Sequence, residues 1–181
     1  MTHHHAAAAV VAAVLAASGC SRSRGTEGPA PAPVASGTFH NAAGERNGVA
    51  TLTDTAGTVR LDLSVSQLSP GLHGLHFHAA GVCTPPDFKS AGAHFNPTDK
   101  QHGRLNPQGP HLGDLPNLNV SADGSADTSI TLSRDLIGAG PHSLFQPGGS
   151  ALVIHADPDD ERTDPSGNSG DRVACAVIER G

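Results

Sequence analysis

Apolar and polar residues alternate over strand-like lengths at 37–41, 49–53, 59–65, 75–79, 129–132, 151–155 and 173–178. A period of two sends successive side chains to opposite faces, so each stretch predicts a strand with one face in a core. Turn formers punctuate the series: Ala56-Gly57, Ser69-Pro70-Gly71 and Asp123-Gly124. Outside the apolar run at 6–18 no long stretch has helical spacing. Short strands joined by tight turns predict an antiparallel sandwich or barrel. The count of 22 Gly and 14 Pro in 181 residues agrees with this and argues against a helical bundle. Two polar segments, 81–119 and 156–170, break the pattern. Both are rich in Gly, Pro and Asp, and long loops of this kind usually carry function.

Residues 6–18, AAAAVVAAVLAAS, are too short to span a bilayer and have the length of a signal-peptide core. The run ends in Ala17-Ser18-Gly19-Cys20, which resembles the lipobox of bacterial lipoproteins. This organisation predicts a signal segment over 1–19, lipidation at Cys20, and a flexible Pro- and Gly-rich tether over 20–35. The folded domain is expected over 36–181. Export removes residues 1–19, which hold no Asp, Glu, Lys or Arg, and leaves Cys83 and Cys175 free to form a disulfide in an oxidising compartment.

A net charge of −6 excludes bulk attraction to nucleic acid. Histidine is the compositional outlier, with 12 residues against two Lys. In His76-Phe77-His78 a spacing of two places both imidazoles on one face of a strand, a natural chelating pair. His155 ends another strand and is positioned to close the same site. In the long loop, His94, His102, His111 and Asp114 offer three imidazoles and a carboxylate, the donor set of a four-coordinate structural zinc.

Gly74-Leu75-His76-Phe77-His78, Gly92-Ala93-His94-Phe95-Asn96-Pro97, His111-Leu112-Gly113-Asp114 and 167–178, GNSGDRVACAVI, resemble the signature motifs of the copper/zinc superoxide dismutases, in the family's order. The resemblance implies an all-β, Greek-key sandwich or flattened barrel of eight strands with two long functional loops. It implies one copper per chain on His76, His78, His94 and His155, and one zinc on His94, His102, His111 and Asp114. His94 would bridge the metals as an imidazolate and carry a proton during turnover. Asp159 falls where the family links copper- and zinc-ligand imidazoles, a role that fixes ring orientation. Arg172 falls on the anion-guiding arginine, and Cys83 and Cys175 on the intrasubunit disulfide. His40, His73 and His142 match no ligand position.

Imidazole accommodates both copper oxidation states better than carboxylate does, and zinc, which keeps one state, is suited to holding the loop. The implied activity is dismutation of superoxide to oxygen and hydrogen peroxide. The alternative is a copper-binding or delivery module without turnover, which the presence of all four copper histidines and Arg172 disfavours. The expected partners are superoxide as substrate and a membrane through the lipid anchor only, at an outward-facing membrane surface, in the periplasm or outside the cell. The segment 79–83 is shorter than the family's usual spacing. The end of the chain lacks the apolar tail of eukaryotic dimers, so that dimer is not expected.

Overall fold

A computed structural model describes residues 1–3 and 31–181. The expected signal segment from residue 4, Cys20 and most of the tether lie outside the described residues. Pro31–Gly181 form one compact unit. Its strands are β1 (Pro33–Asn41), β2 (Arg46–Asp54), β3 (Thr58–Val65), β4 (Gly71–His73), β5 (Leu75–His78), β6 (Leu118–Val120), β7 (Ala126–Ser133), β8 (Ala151–His155), β9 (Arg172–Val177) and β10 (Glu179–Arg180). The boundary expected at residue 35 therefore falls inside β1, where Ala35 is fully buried and pairs with Leu52.

The main sheet is antiparallel in the order β5-β8-β9-β1-β2-β3-β7, with β10 pairing β1, while β4 and β6 form a separate pair. Counting β4 and β5 as one strand interrupted at Gly74, and setting aside the two-residue β10, gives the expected eight. The chain leaves β3, runs through β4, β5 and β6, and returns in β7 beside β3, a Greek-key path. The interruption lets one strand serve two neighbours: β4 pairs β6 and β5 pairs β8.

The alternation read from the sequence is the alternation of burial. In β3, Val59, Leu61, Leu63 and Val65 face the core and the residues between them point outward. The curled sheet wraps one large cluster that includes Phe39, Leu52, Leu61, Phe77, Phe95, Leu152 and Ile154. β5 and β8 are buried along their whole length, so both of their faces are covered. Leu152 and Ile154 enter the main core, whereas Ala151 and Val153 join Phe88, Ala91 and Cys175 in a second cluster. The long loop supplies that outer cover, and a disulfide between Cys83 and Cys175, 92 residues apart, fastens it to β9. Residues 81–119 are not wholly irregular. They contain a 3-10 turn at Lys89–Ala91 and end inside β6.

Candidate metal centre

Leu75 and Phe77 point into the core, so the period of two sends His76 and His78 to the covered outer face of β5. β8 lies beside β5, with His76 opposite Val153, and carries His155 at its end. The long loop folds back over this face. Phe95 N–H donates to the Phe77 carbonyl at 2.8 Å, and Phe77 N–H to that of Gly113 at 2.9 Å. These bonds bring His94 opposite His78 and Asp114 opposite His76.

Two sets of donor atoms meet on opposite sides of the His94 ring. On one side, Nδ1 of His102, His94 and His111 lie 3.0, 3.1 and 3.3 Å from Oδ1 of Asp114. Oδ2 of Asp114 is fixed by the backbone N–H groups of Gly103 and His111, both at 2.9 Å. On the other side, donor atoms of His76, His78, His94 and His155 lie within 4.8 Å of one another. His78 Nδ1 donates to the Gly92 carbonyl at 2.9 Å, leaving Nε2 to face His155 Nε2 at 3.4 Å. His76 also lies near the first set, but its Nε2 is engaged by Asp159 at 2.8 Å, which leaves Nδ1 for the second.

The donor sets fit metal ions on a structural ground. His76 Nδ1 and His94 Nε2 are buried and have no hydrogen-bond partner. An orphaned buried polar atom costs about 1–3 kcal/mol, and a cation held among these lone pairs removes that cost. Burial, reinforced by neighbouring imidazoles, lowers the ring pKa of His94 to about 4 and of His155 to about 3, and holds His78 well below the usual histidine value. These rings are neutral at pH 7 and offer lone pairs. For His102, burial acts in the same direction but hydrogen bonds to Asp114 and Asp159 prevail and raise it to about 9. Burial opposes ionisation of Asp114 and Asp159, yet the surrounding imidazoles hold both far below the carboxylate range.

Asp159 joins the two sides. Its Oδ2 accepts from His76 Nε2 at 2.8 Å and its Oδ1 from His102 Nε2 at 3.0 Å. Asn117 clasps the backbone of Asp159 in return, donating from Nδ2 to its carbonyl and accepting its N–H at Oδ1, both at 2.8 Å. Arg172 pairs with His155 across β8 and β9 and is half-buried. Its guanidinium donates to the carbonyls of Phe88 at 2.8 Å and Gly92 at 2.7 Å.

The sequence profile described as copper/zinc superoxide dismutase matches residues 46–178. The chain belongs to the copper/zinc superoxide dismutase family. Among curated superoxide dismutases it is 45% identical over 141 residues to Superoxide dismutase [Cu-Zn] 1 of Aquifex aeolicus, spanning 77% of this chain and 83% of the relative. It is 45% identical over 139 residues to the [Cu-Zn] enzyme of Caulobacter vibrioides, spanning 75% and 80%. Among solved structures it resembles a double mutant of a SOD-like protein from Bacillus subtilis. The TM-score is 0.74 at 39% identity, covering 78% of this chain and 95% of the other.

For this superoxide dismutase family member the structure gathers all seven histidine and aspartate ligand candidates, with Asp159 and Arg172, around one centre. His142, half-buried, and His40, on β1, lie outside it. His73 is buried, its Nδ1 2.6 Å from the His155 carbonyl oxygen and its Nε2 2.8 Å from that of Ser69. Asn117 and Phe88 went unread in the sequence. An isolated Asn and one Phe among five carry no periodic signal, and each acts through contacts with residues more than 40 positions away.

Proposed function

We propose that this chain is an exported superoxide dismutase that uses copper and zinc. The observation that carries the reading is the single imidazole of His94 with a donor set on each of its nitrogens, three further histidines on the Nε2 side and a His-His-Asp group on the Nδ1 side. His76, His78, His94 and His155 would hold copper, and His94, His102, His111 and Asp114 would hold zinc. Bound there, copper supplies one-electron chemistry that oxidises one superoxide and reduces the next, while zinc supplies fixed charge. His94 Nε2 is the atom that takes up and returns a proton between the two halves of the reaction, because its other nitrogen is held on the zinc side. Arg172, beside the copper set, attracts the anionic substrate. Asp159, reaching both His76 and His102, fixes ring orientation on both sides.

The disulfide fits an oxidising, exported setting. The lipobox-like run ending at Cys20 supports a lipid-anchored protein, which Cys20→Ala would release from membranes into the soluble fraction.

Metal analysis of the purified protein with a superoxide-consumption assay tests the main reading. One copper and one zinc per chain with rapid consumption are expected. His155→Ala, which removes a copper-only candidate, should abolish consumption and keep zinc. Bound metal without turnover in the unmodified protein would instead leave a copper-binding module.

A further inference from the structure

Both carbonyls that hold Arg172 belong to one short turn of the long loop. The Phe88 carbonyl accepts from Ala91 N–H at 3.0 Å and from Arg172 Nη1 at 2.8 Å. The Gly92 carbonyl accepts from Arg172 Nη2 at 2.7 Å and also from His78 Nδ1 at 2.9 Å. One peptide oxygen thus yokes the arginine to an imidazole of the copper set, and the placement of this turn decides where both point.

Phe88 holds the turn down. Its backbone is left-handed, with φ 52° and ψ 20°, a conformation sterically disfavoured for a bulky side chain and at home in glycine. Its ring is fully buried against Ala91, Ala151, Val153 and Cys175, in the cluster that the disulfide also enters. A glycine would take the same backbone without strain but would leave that pocket empty and the turn without its plug. Asp87 Oδ1 accepts Lys89 N–H at 3.1 Å, which closes the turn just after the ring.

We infer that Phe88 is a positioning residue for Arg172: its buried ring fixes the Lys89–Ala91 turn so that the Phe88 and Gly92 carbonyls hold the guanidinium beside the copper set. The effect on rate rests on the guidance role proposed above for Arg172, whereas the effect on Arg172 itself does not.

The test compares Phe88→Ala and Phe88→Leu in the fully metallated, disulfide-bonded protein. Four quantities are read: metal content, melting temperature, the superoxide rate at low salt, and the NMR signal and proton exchange of Arg172 Nε–H with copper reduced. In Phe88→Ala the Arg172 signal should shift and exchange faster. The rate should fall on the order of tenfold, the low end of what a local charge field contributes, with both metals retained. Phe88→Leu refills the cluster and should return signal and rate toward the parent values. If Phe88→Ala does not fold, Phe88→Val takes its place, since a β-branched residue resists the left-handed backbone and should displace the turn.

A lowered melting temperature with an unchanged Arg172 signal would overturn the inference and reduce Phe88 to a packing residue. An Arg172→Gln control separates the two claims. If that variant keeps the parent rate, the guidance reading fails, and the Phe88 inference is then decided by the Arg172 signal alone.

Discussion

Asp159 touches two imidazoles, and the residue that leaves room for it is Gly167. There φ is 62°, and a Cβ would run into Oδ1 of Asp159 and crowd His102 Nε2. Gly167→Ala therefore combines a disfavoured backbone, costing about 1–2 kcal/mol, with displacement of the carboxylate that orients both rings. We expect lower zinc and copper content and a lower melting temperature; full metal content in this variant would show that Asp159 is not needed where it stands. His102 supplies a second test. With its pKa raised to about 9 in the metal-free protein, it is protonated at pH 7 and would have to lose a proton to serve as the proposed zinc ligand. Zinc affinity should therefore rise about tenfold per pH unit through neutrality and level off above about pH 9, with one proton released at pH 7. Calorimetry in buffers of different ionisation enthalpy counts that proton. The stability term has the opposite sense. A raised histidine pKa favours the metal-free fold below the ordinary value of 6.5 and stops doing so as pH climbs through about 9.

At the level of elements, β5 and β8 do two jobs because each has two buried faces: one set of side chains fills the core and the other builds the centre or lies beneath the loop. The loop that covers them has few strand-like bonds of its own, so its attachment matters. Cys175 is fully buried in β9, and its bond to Cys83 closes 92 residues of chain. Chain-entropy arguments assign roughly 4–5 kcal/mol to a loop of that size. Reduction should lower the melting temperature by on the order of 10 °C and loosen the turn that carries the Phe88 carbonyl. A melting curve indifferent to reductant would contradict this anchoring.

The whole molecule carries a charge of −6 and would attract an anion only through a local field. The acids of residues 156–170 are largely engaged. Asp159 faces the histidines, Asp160 accepts from the N–H groups of Arg162 and Thr163, Glu161 pairs with Arg104 at 3.1 Å, and Asp164 accepts from His102 N–H. They shape the loop but remain negative, so the guidance role proposed for Arg172 would give it an unusual share of substrate attraction. Arg172→Gln should slow the reaction at low ionic strength with metals retained, and the residual rate should depend less on salt, because screening acts on the field removed. An unchanged rate would pass the role to Lys89 or Lys100.

How far the chain could be read follows from the range of each interaction. β3 was legible because inward and outward faces alternate in consecutive residues, and the ligand candidates because their motifs are local: His76 and His78 two apart, His111 and Asp114 three apart. β4 and β6, three residues each, were not, since strands that short exist by pairing with each other across more than 40 residues. The same holds for Asn117 on Asp159 and for the Phe88 and Gly92 carbonyls on Arg172. Backbone carbonyls have no letter in a sequence. Which side chains are available for metal and which faces are apolar can be read along the chain, because both depend on residue identity and short-range period. Folding alone sets which nitrogen of each ring is left free, which carboxylate joins the two sides and where the arginine points. Those depend on partners that meet only once the chain has folded.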